Sequence, residues 1–409
     1  MTVPRFILLL PGLCLLLAAT ARADLDDVLD DLDSSLNARS ADGNFAVRFS
    51  GQLDAEEYLL QQPAPGNLYT NHDTLFNSRL SLYLDAQLGP QLYLFVESRI
   101  DRGYDPTDQD LTARLDQYAL RWTPWEQGWL NVQAGKFGTV VGNWSSRYES
   151  WTNPFITDPL VYSNVTHIYD SELPADRFDF SGPLDEEKYD YNPVIWGASY
   201  ASGASIFGHV GKFDYAAEMK NTGLSSRPEA WDATQTGFSH PTYSARLGFR
   251  PDEAWNLGLS GSVGPYFLDS VAPDLPRGKG IDDYRQITIG QDVSYEWHHW
   301  QLWAEVFESR FQVPLVGNAD TLSYYVEAKY KFTPQLFGAL RWNQQLFSGV
   351  PNEDGGKSPW GADIWSIDAA VTYRFTPHLQ MKLQYSFIRQ QLAEQPEENL
   401  LAAQFTVRF

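Results

Sequence analysis

The chain has 409 residues, 43% hydrophobic and 14% aromatic, with 30 Lys and Arg against 52 Asp and Glu. The resulting charge of −22 repels phosphate backbones and excludes nucleic acid as a partner. Mean hydropathy of −0.37, with no run of about 18 apolar residues past the N-terminus, excludes a helical membrane protein, and the 23 Phe, 14 Trp and 22 Tyr exclude a disordered chain.

Residues 1–23 read as a secretion signal. Arg5 supplies a positive start, Phe6 to Thr20 is apolar, and Ala21-Arg22-Ala23 fits small-x-small cleavage before Asp24. The single cysteine, Cys14, lies inside this leader, and Leu13 before it argues against lipidation. An exported chain without disulfides is a soluble periplasmic protein, a secreted protein or an outer-membrane barrel. Residues 24–43 are acidic, with Leu25, Val28, Leu32 and Leu36 spaced three, four and four. That spacing allows a short helix with an apolar seam, a clasp for a trimer. A solvated acidic tail is the expectation.

From residue 44 to 409 the chain alternates with period two. In Ser78–Leu88 one face carries Leu80, Leu82, Leu84, Ala86 and Leu88, and the other Arg79, Ser81, Tyr83, Asp85 and Gln87. A strand sorts residues this way and a helix does not. The same sorting predicts sixteen strands, near 45–60, 76–88, 91–102, 112–122, 129–138, 193–201, 204–217, 241–250, 255–264, 284–297, 300–311, 321–332, 335–347, 362–375, 378–391 and 400–409. Short proline turns join many of them: Gly89-Pro90, Thr123-Pro124, Arg250-Pro251, Thr333-Pro334 and Thr376-Pro377. Proline presets the turn, and the aromatic residue near most of these turns suits an interfacial belt. The other connections are long and polar. Long strands with one apolar and one polar face predict an all-β fold: a closed, 16-stranded antiparallel transmembrane β-barrel, apolar side to lipid and polar side to a water-filled lumen.

The last strand places Leu401, Ala403, Phe405, Val407 and Phe409 on one face up to a terminal phenylalanine. It resembles the targeting strand that bacterial outer-membrane barrels present to their assembly machinery. The order of leader, sixteen alternating segments and one very long loop after the fifth strand resembles the general diffusion porins. Asn77–Leu84 and Gln133–Gly138 are similar to stretches of the phosphate-selective porins. The porin resemblance implies a homotrimer in the bacterial outer membrane, among lipid and lipopolysaccharide. It also implies that the third external loop, 139–192, folds into the lumen and narrows it.

By parity Arg48, Arg79, Arg99 and Arg121 point inward from the first four strands. The loop carries Asp158, Asp170 and Glu172, followed by Asp176, Asp179, Asp185, Glu186, Glu187 and Asp190. The resemblance implies a transverse field between the basic wall and the acidic loop. Lys136, inside the stretch similar to the phosphate-selective porins, joins this candidate constriction. The bland alternative is that the arginines pair with Glu97, Asp101 or Asp85 and stiffen the wall. The expected function is passive diffusion of small hydrophilic solutes or ions. The alternatives are selectivity for phosphate or another small anion, or a sheath around a periplasmic partner. Phosphate-selective channels are lined with Arg and Lys, and the loop acidity departs from that pattern.

No catalytic, metal or cofactor site is expected. Gly258-Leu259-Ser260-Gly261-Ser262 fails the nucleophile-elbow pattern at its last position, and His298-His299 face opposite ways on an extended chain.

Overall fold

A computed structural model describes residues 22–102, 111–182, 188–352, 355–391 and 396–409. The expected leader, save its last two residues, lies outside them, as do Asp185, Glu186 and Glu187.

Sixteen antiparallel strands close into one barrel. They are β1 (Phe45–Leu60), β2 (Thr74–Leu88), β3 (Leu92–Asp101), β4 (Thr112–Trp122), β5 (Asn131–Lys136), β6 (Ser202–Val210), β7 (Phe213–Lys220) and β8 (Thr242–Phe249), followed by β9 (Trp255–Pro265), β10 (Arg285–Trp297), β11 (Trp300–Val313), β12 (Gly317–Lys331), β13 (Leu336–Phe347), β14 (Ile364–Arg374), β15 (Leu379–Gln390) and β16 (Glu397–Arg408). Each strand pairs with the next, and β16 returns to β1, with Gln52 opposite Arg408 and Leu60 opposite Leu400. Closure leaves no unpaired edge, the condition for crossing hydrocarbon. Among the described residues no helix is long and apolar enough to cross a membrane.

The wall is inside-out relative to a water-soluble core. Leu247 and Leu340 are 64% and 60% exposed on the outer face, while Asp54, Glu305 and Glu327 are fully buried on the inner one. Such an exterior is stable only against hydrocarbon. Aromatic pairs ring the short-turn end of the outer face: Phe213 with Phe249, Trp255 with Tyr295, and Trp300 with Tyr330 have ring centres 5.0, 4.3 and 4.7 Å apart. This is the belt that the turn pattern predicts.

Two expectations are corrected. Residues 193–201 form no barrel strand; they are the buried end of the long loop. The expected strand 204–217 is instead the hairpin of β6 and β7, turned at Gly211 with φ +61°. That turn, Val210-Gly211-Lys212-Phe213, carries no proline, the mark of most of the other short turns. The strand count survives because one false strand offsets one merged pair, and the loop grows to 137–201. The acidic N-terminal segment is not a free tail. It forms α1 (Arg22–Ser35), whose Leu29 is buried, and Asp30 and Asp33 meet His378 and Arg48 at 2.9 and 3.3 Å at the short-turn end. The apolar spacing reads as a helix because a surface against which Leu29 packs exists once the barrel closes.

The C-terminus locks the seam. Phe409 N–H donates to the Gly51 carbonyl at 2.9 Å, and Gly51 N–H donates back at 3.0 Å. A Cβ at position 51 falls inside the contact distance of the Phe409 ring. Gly51→Val is therefore expected to displace the terminal aromatic residue and reduce the yield of folded barrel at least several-fold. Heat-modifiable gel mobility measures that yield, and an undiminished folded band contradicts it.

Candidate pore constriction

Residues 137–182 and 188–201 cross the lumen and attach to several sides of the wall. Gly142, at φ +73°, lets the chain turn against β11, where a side chain would collide with the Glu305 carboxylate. That carboxylate accepts the backbone N–H of Asn143, that of Trp144 at 3.1 Å, and the Tyr162 hydroxyl at 2.6 Å. Trp144 stacks on Tyr162 at 4.4 Å, and both pack with Val161, Val194, Ile195 and Phe307. Burial of this apolar matter holds the loop inside a polar lumen. Arg147 pairs with Glu327 of β12 at 2.7 Å and lies 4.3 Å from the Trp303 ring.

The facing wall receives the next segment. Tyr83 of β2 donates to Glu149 at 2.6 Å, and Ser150 bridges Asp54 of β1 at 2.6 Å and Arg79 at 2.7 Å. Gln384 of β15 accepts the N–H of Ile156 at 2.6 Å, and Arg341 of β13 donates to the Thr157 carbonyl at 2.9 Å. A cavity of about 200 Å³ remains between the loop, β1–β4 and β14–β16. Tyr148, Ser150 and Asp158 line it from the loop, and Glu56, Arg79, Arg99, Asp101, Arg114 and Asp368 from the wall.

Two of the expected arginines come to this place. Arg79 pairs with Asp54 and Glu56 at 3.1 and 3.0 Å, and Arg99 with Glu97 and Asp116 at 2.8 and 3.0 Å. Their charge is answered mainly by carboxylates of the same wall, the blander of the two readings, with Glu149 of the loop 3.9 Å from Arg99. Only 3% of the Arg99 side chain is exposed, so at the edge of the cavity it acts chiefly as a clamp. Asp158 is half-buried at the cavity, beside Asn67. Burial pushes its carboxyl up to about 6, against the opposing pull of Arg341 and Arg79.

The others lie elsewhere. Arg48 meets Asp33 of α1 at the short-turn end. Arg121 holds Gln133 at 2.9 Å and lies 4.9 Å from the Phe207 ring. Lys136 sits opposite Tyr118, on the outer-face row of Leu120 and Trp122, and donates to the Leu115 carbonyl at 2.9 Å. Asp170 pairs with Arg227 at 2.7 Å, and Glu172 is exposed. The short resemblance that drew in Lys136 carries no information about which face it occupies.

Strict alternation misses Arg114. Counting back from Arg121 puts Leu115 inside and Arg114 outside. A bulge opposite Glu97 and Ser98 reverses this, so that Leu115 is 49% exposed while Arg114 reaches Asp101 and, at 2.7 Å, Asp116. The only signal in the sequence is Asp116-Gln117, two polar residues in succession in an alternating run. Among the described residues no cluster fit to hold a metal ion occurs.

No family model matches the chain, and no curated protein matches it by sequence. Solved structures do match its shape. OmpF of Salmonella typhi is 13% identical over 91% of this chain and 100% of its own, with a TM-score of 0.58. The outer-membrane channel DcaP of Acinetobacter baumannii is 10% identical over 91% of this chain and 99% of its own, at 0.56. An anion-selective porin from Comamonas acidovorans is 11% identical over 89% of this chain and 100% of its own, at 0.53. The chain has the fold of the bacterial outer-membrane porins.

Proposed function

We propose that the chain is an outer-membrane porin through which small hydrophilic solutes and ions diffuse passively. The observation that carries this reading is a polar cavity between a lumen-crossing loop and an inside-out wall. A sheath around a periplasmic partner needs an open lumen, and the loop occupies it. The short turns, the start of β1 and the end of β16 then face the periplasm, and the long loops face outside. A homotrimer is supported by the shared fold with an outer-membrane protein of Vibrio cholerae solved in a trimer form, at 12% identity. The β16 terminus is read as the part offered to the assembly machinery, and the apolar exterior as the surface met by lipid and lipopolysaccharide.

Reconstitution into planar bilayers tests the function. Stepwise, voltage-independent openings at low potential are expected, and a flat baseline from correctly folded protein contradicts the reading. A pH effect follows from Asp158. Its carboxyl, raised to about 6, is charged at pH 7.5 and neutral at pH 5. Preference for cations is expected to fall across that window, and Asp158→Asn to remove the step. Because the folded-state value exceeds the ordinary one near 3.8, this group also favours the folded barrel more as pH drops through 6. Reversal potentials identical at pH 5 and pH 7.5 would sink the assignment.

A further inference from the structure

Charge inside the barrel is paired at the constriction and only partly below it, where Arg48 meets Asp33 and Arg250 meets Asp214. Arg79, Arg99, Arg114, Arg147, Arg246 and Arg341 each hold a carboxylate. Toward the short-turn end, Lys329 of β12, Arg374 of β14 and Arg408 of β16 have no ion pair among the described residues. They alternate instead with aromatic rings. Lys329 Nζ lies 4.7 Å from the centre of the Phe337 ring, and Arg374 Cζ lies 4.9 Å from the same ring. Arg374 Cζ also lies 4.8 Å from the Trp151 ring, which Arg408 Cζ approaches to 3.9 Å. Trp151 belongs to the constriction loop, so this ladder stands directly beneath it.

The rings offset only part of the repulsion between three cations. Donors are also left over. Arg374 donates to the Trp151 carbonyl at 2.9 Å through Nη2 and to Gln380 through Nε, which leaves Nη1. Arg408 donates only through Nε, to the Pro377 carbonyl at 2.8 Å, which leaves both Nη groups. The acidic groups facing the ladder are engaged elsewhere: Asp33 with Arg48 at 3.3 Å, and Glu296 with Gln301 at 3.0 Å. A chain with 52 acidic residues thus keeps three half-buried cations together, none of them in an ion pair among the described residues. Guanidinium groups with free N–H pairs on a low-dielectric floor suit a planar or tetrahedral oxyanion.

We propose that the Lys329–Phe337–Arg374–Trp151–Arg408 ladder is a binding site for small polyvalent oxyanions on the periplasmic side of the constriction. It rests on the channel reading for its orientation, but binding itself does not require conduction. Inorganic pyrophosphate is the probe, titrated calorimetrically into the folded full-length chain in detergent at low ionic strength. Saturable binding is expected, weakened at least tenfold in the Arg374→Gln, Arg408→Gln double variant. Lys329→Gln, which leaves both loop contacts in place, is expected to weaken it about threefold and serves if the double variant fails to fold. No binding by the wild type overturns the inference, as does equal affinity in the folded variants. Bilayer recordings decide the channel reading separately.

Discussion

Replacing both Arg79 and Arg99 by alanine is expected to raise single-channel conductance and shift reversal potentials toward cations. The two side chains do two jobs. They carry the positive charge of the β2–β3 wall, and they hold the loop through Ser150 and Tyr148, at 2.7 and 3.4 Å. Their removal leaves Asp54, Glu56 and Glu97 buried without their paired cation, while Asp116 keeps Arg114. Breaking a buried pair from one side costs about 3–5 kcal/mol, because the remaining charge stays desolvated. The double variant is thus expected to unfold at a clearly lower temperature and, where folded, to let the loop swing from the wall. A wider aperture carries more current, and the unpaired carboxylates attract cations. Reversal potentials and conductance both unchanged in a folded variant place these arginines outside the solute path.

Glu305→Ala is expected to loosen the loop from the opposite side. One carboxylate there receives the backbone of Asn143 and Trp144 and the hydroxyl of Tyr162. All three donors lose their acceptor when it is removed, and each buried orphan costs about 1–3 kcal/mol. The Tyr162 hydroxyl then loses the carboxylate it donates to, while its ring still stacks on Trp144. Noisy, enlarged openings and loss of several degrees of thermal stability are expected. Glu308→Ala, three residues along the same strand and exposed on the outer face, is the control and is expected to behave as the wild type. Equal behaviour of the two variants contradicts the anchoring role of Glu305.

The sequence disclosed the wall better than what fills it. Alternation in β10–β16 is unbroken, so Glu305, Glu327, Arg341, Asp368, Arg374 and Lys382 all face inward as parity predicts. Local periodicity suffices there because each residue's side is fixed by its own strand. It fails where one residue resets the count. The β4 bulge brings Arg114 into the lumen, and Gly135, at φ +143° where a Cβ would collide with the Tyr118 carbonyl, ends β5 irregularly. It fails again where pairing is remote. Nothing in Glu149 or Ser150 says that they meet Tyr83 and Asp54, and nothing in Asp170 announces Arg227, because those contacts exist only once the loop has crossed a closed lumen. Of the loop's acids, Glu149, outside the expected set, is hydrogen-bonded into the wall, while Asp170 pairs with Arg227 of another loop and Glu172 is exposed.

Cysteine reactivity along β2 tests most directly that one face of each strand meets lipid and the other water. The chain's only native cysteine is Cys14, so single cysteines at 84–88 can be read in its absence. Asp85 and Gln87 line the inner surface beside Arg48, while Leu84, Ala86 and Leu88 share the outer row. In protein reconstituted into lipid vesicles, a charged, water-soluble thiol reagent is expected to label positions 85 and 87 and to spare 84, 86 and 88. Uniform labelling, or labelling of the even positions, contradicts a barrel with hydrocarbon outside and water within.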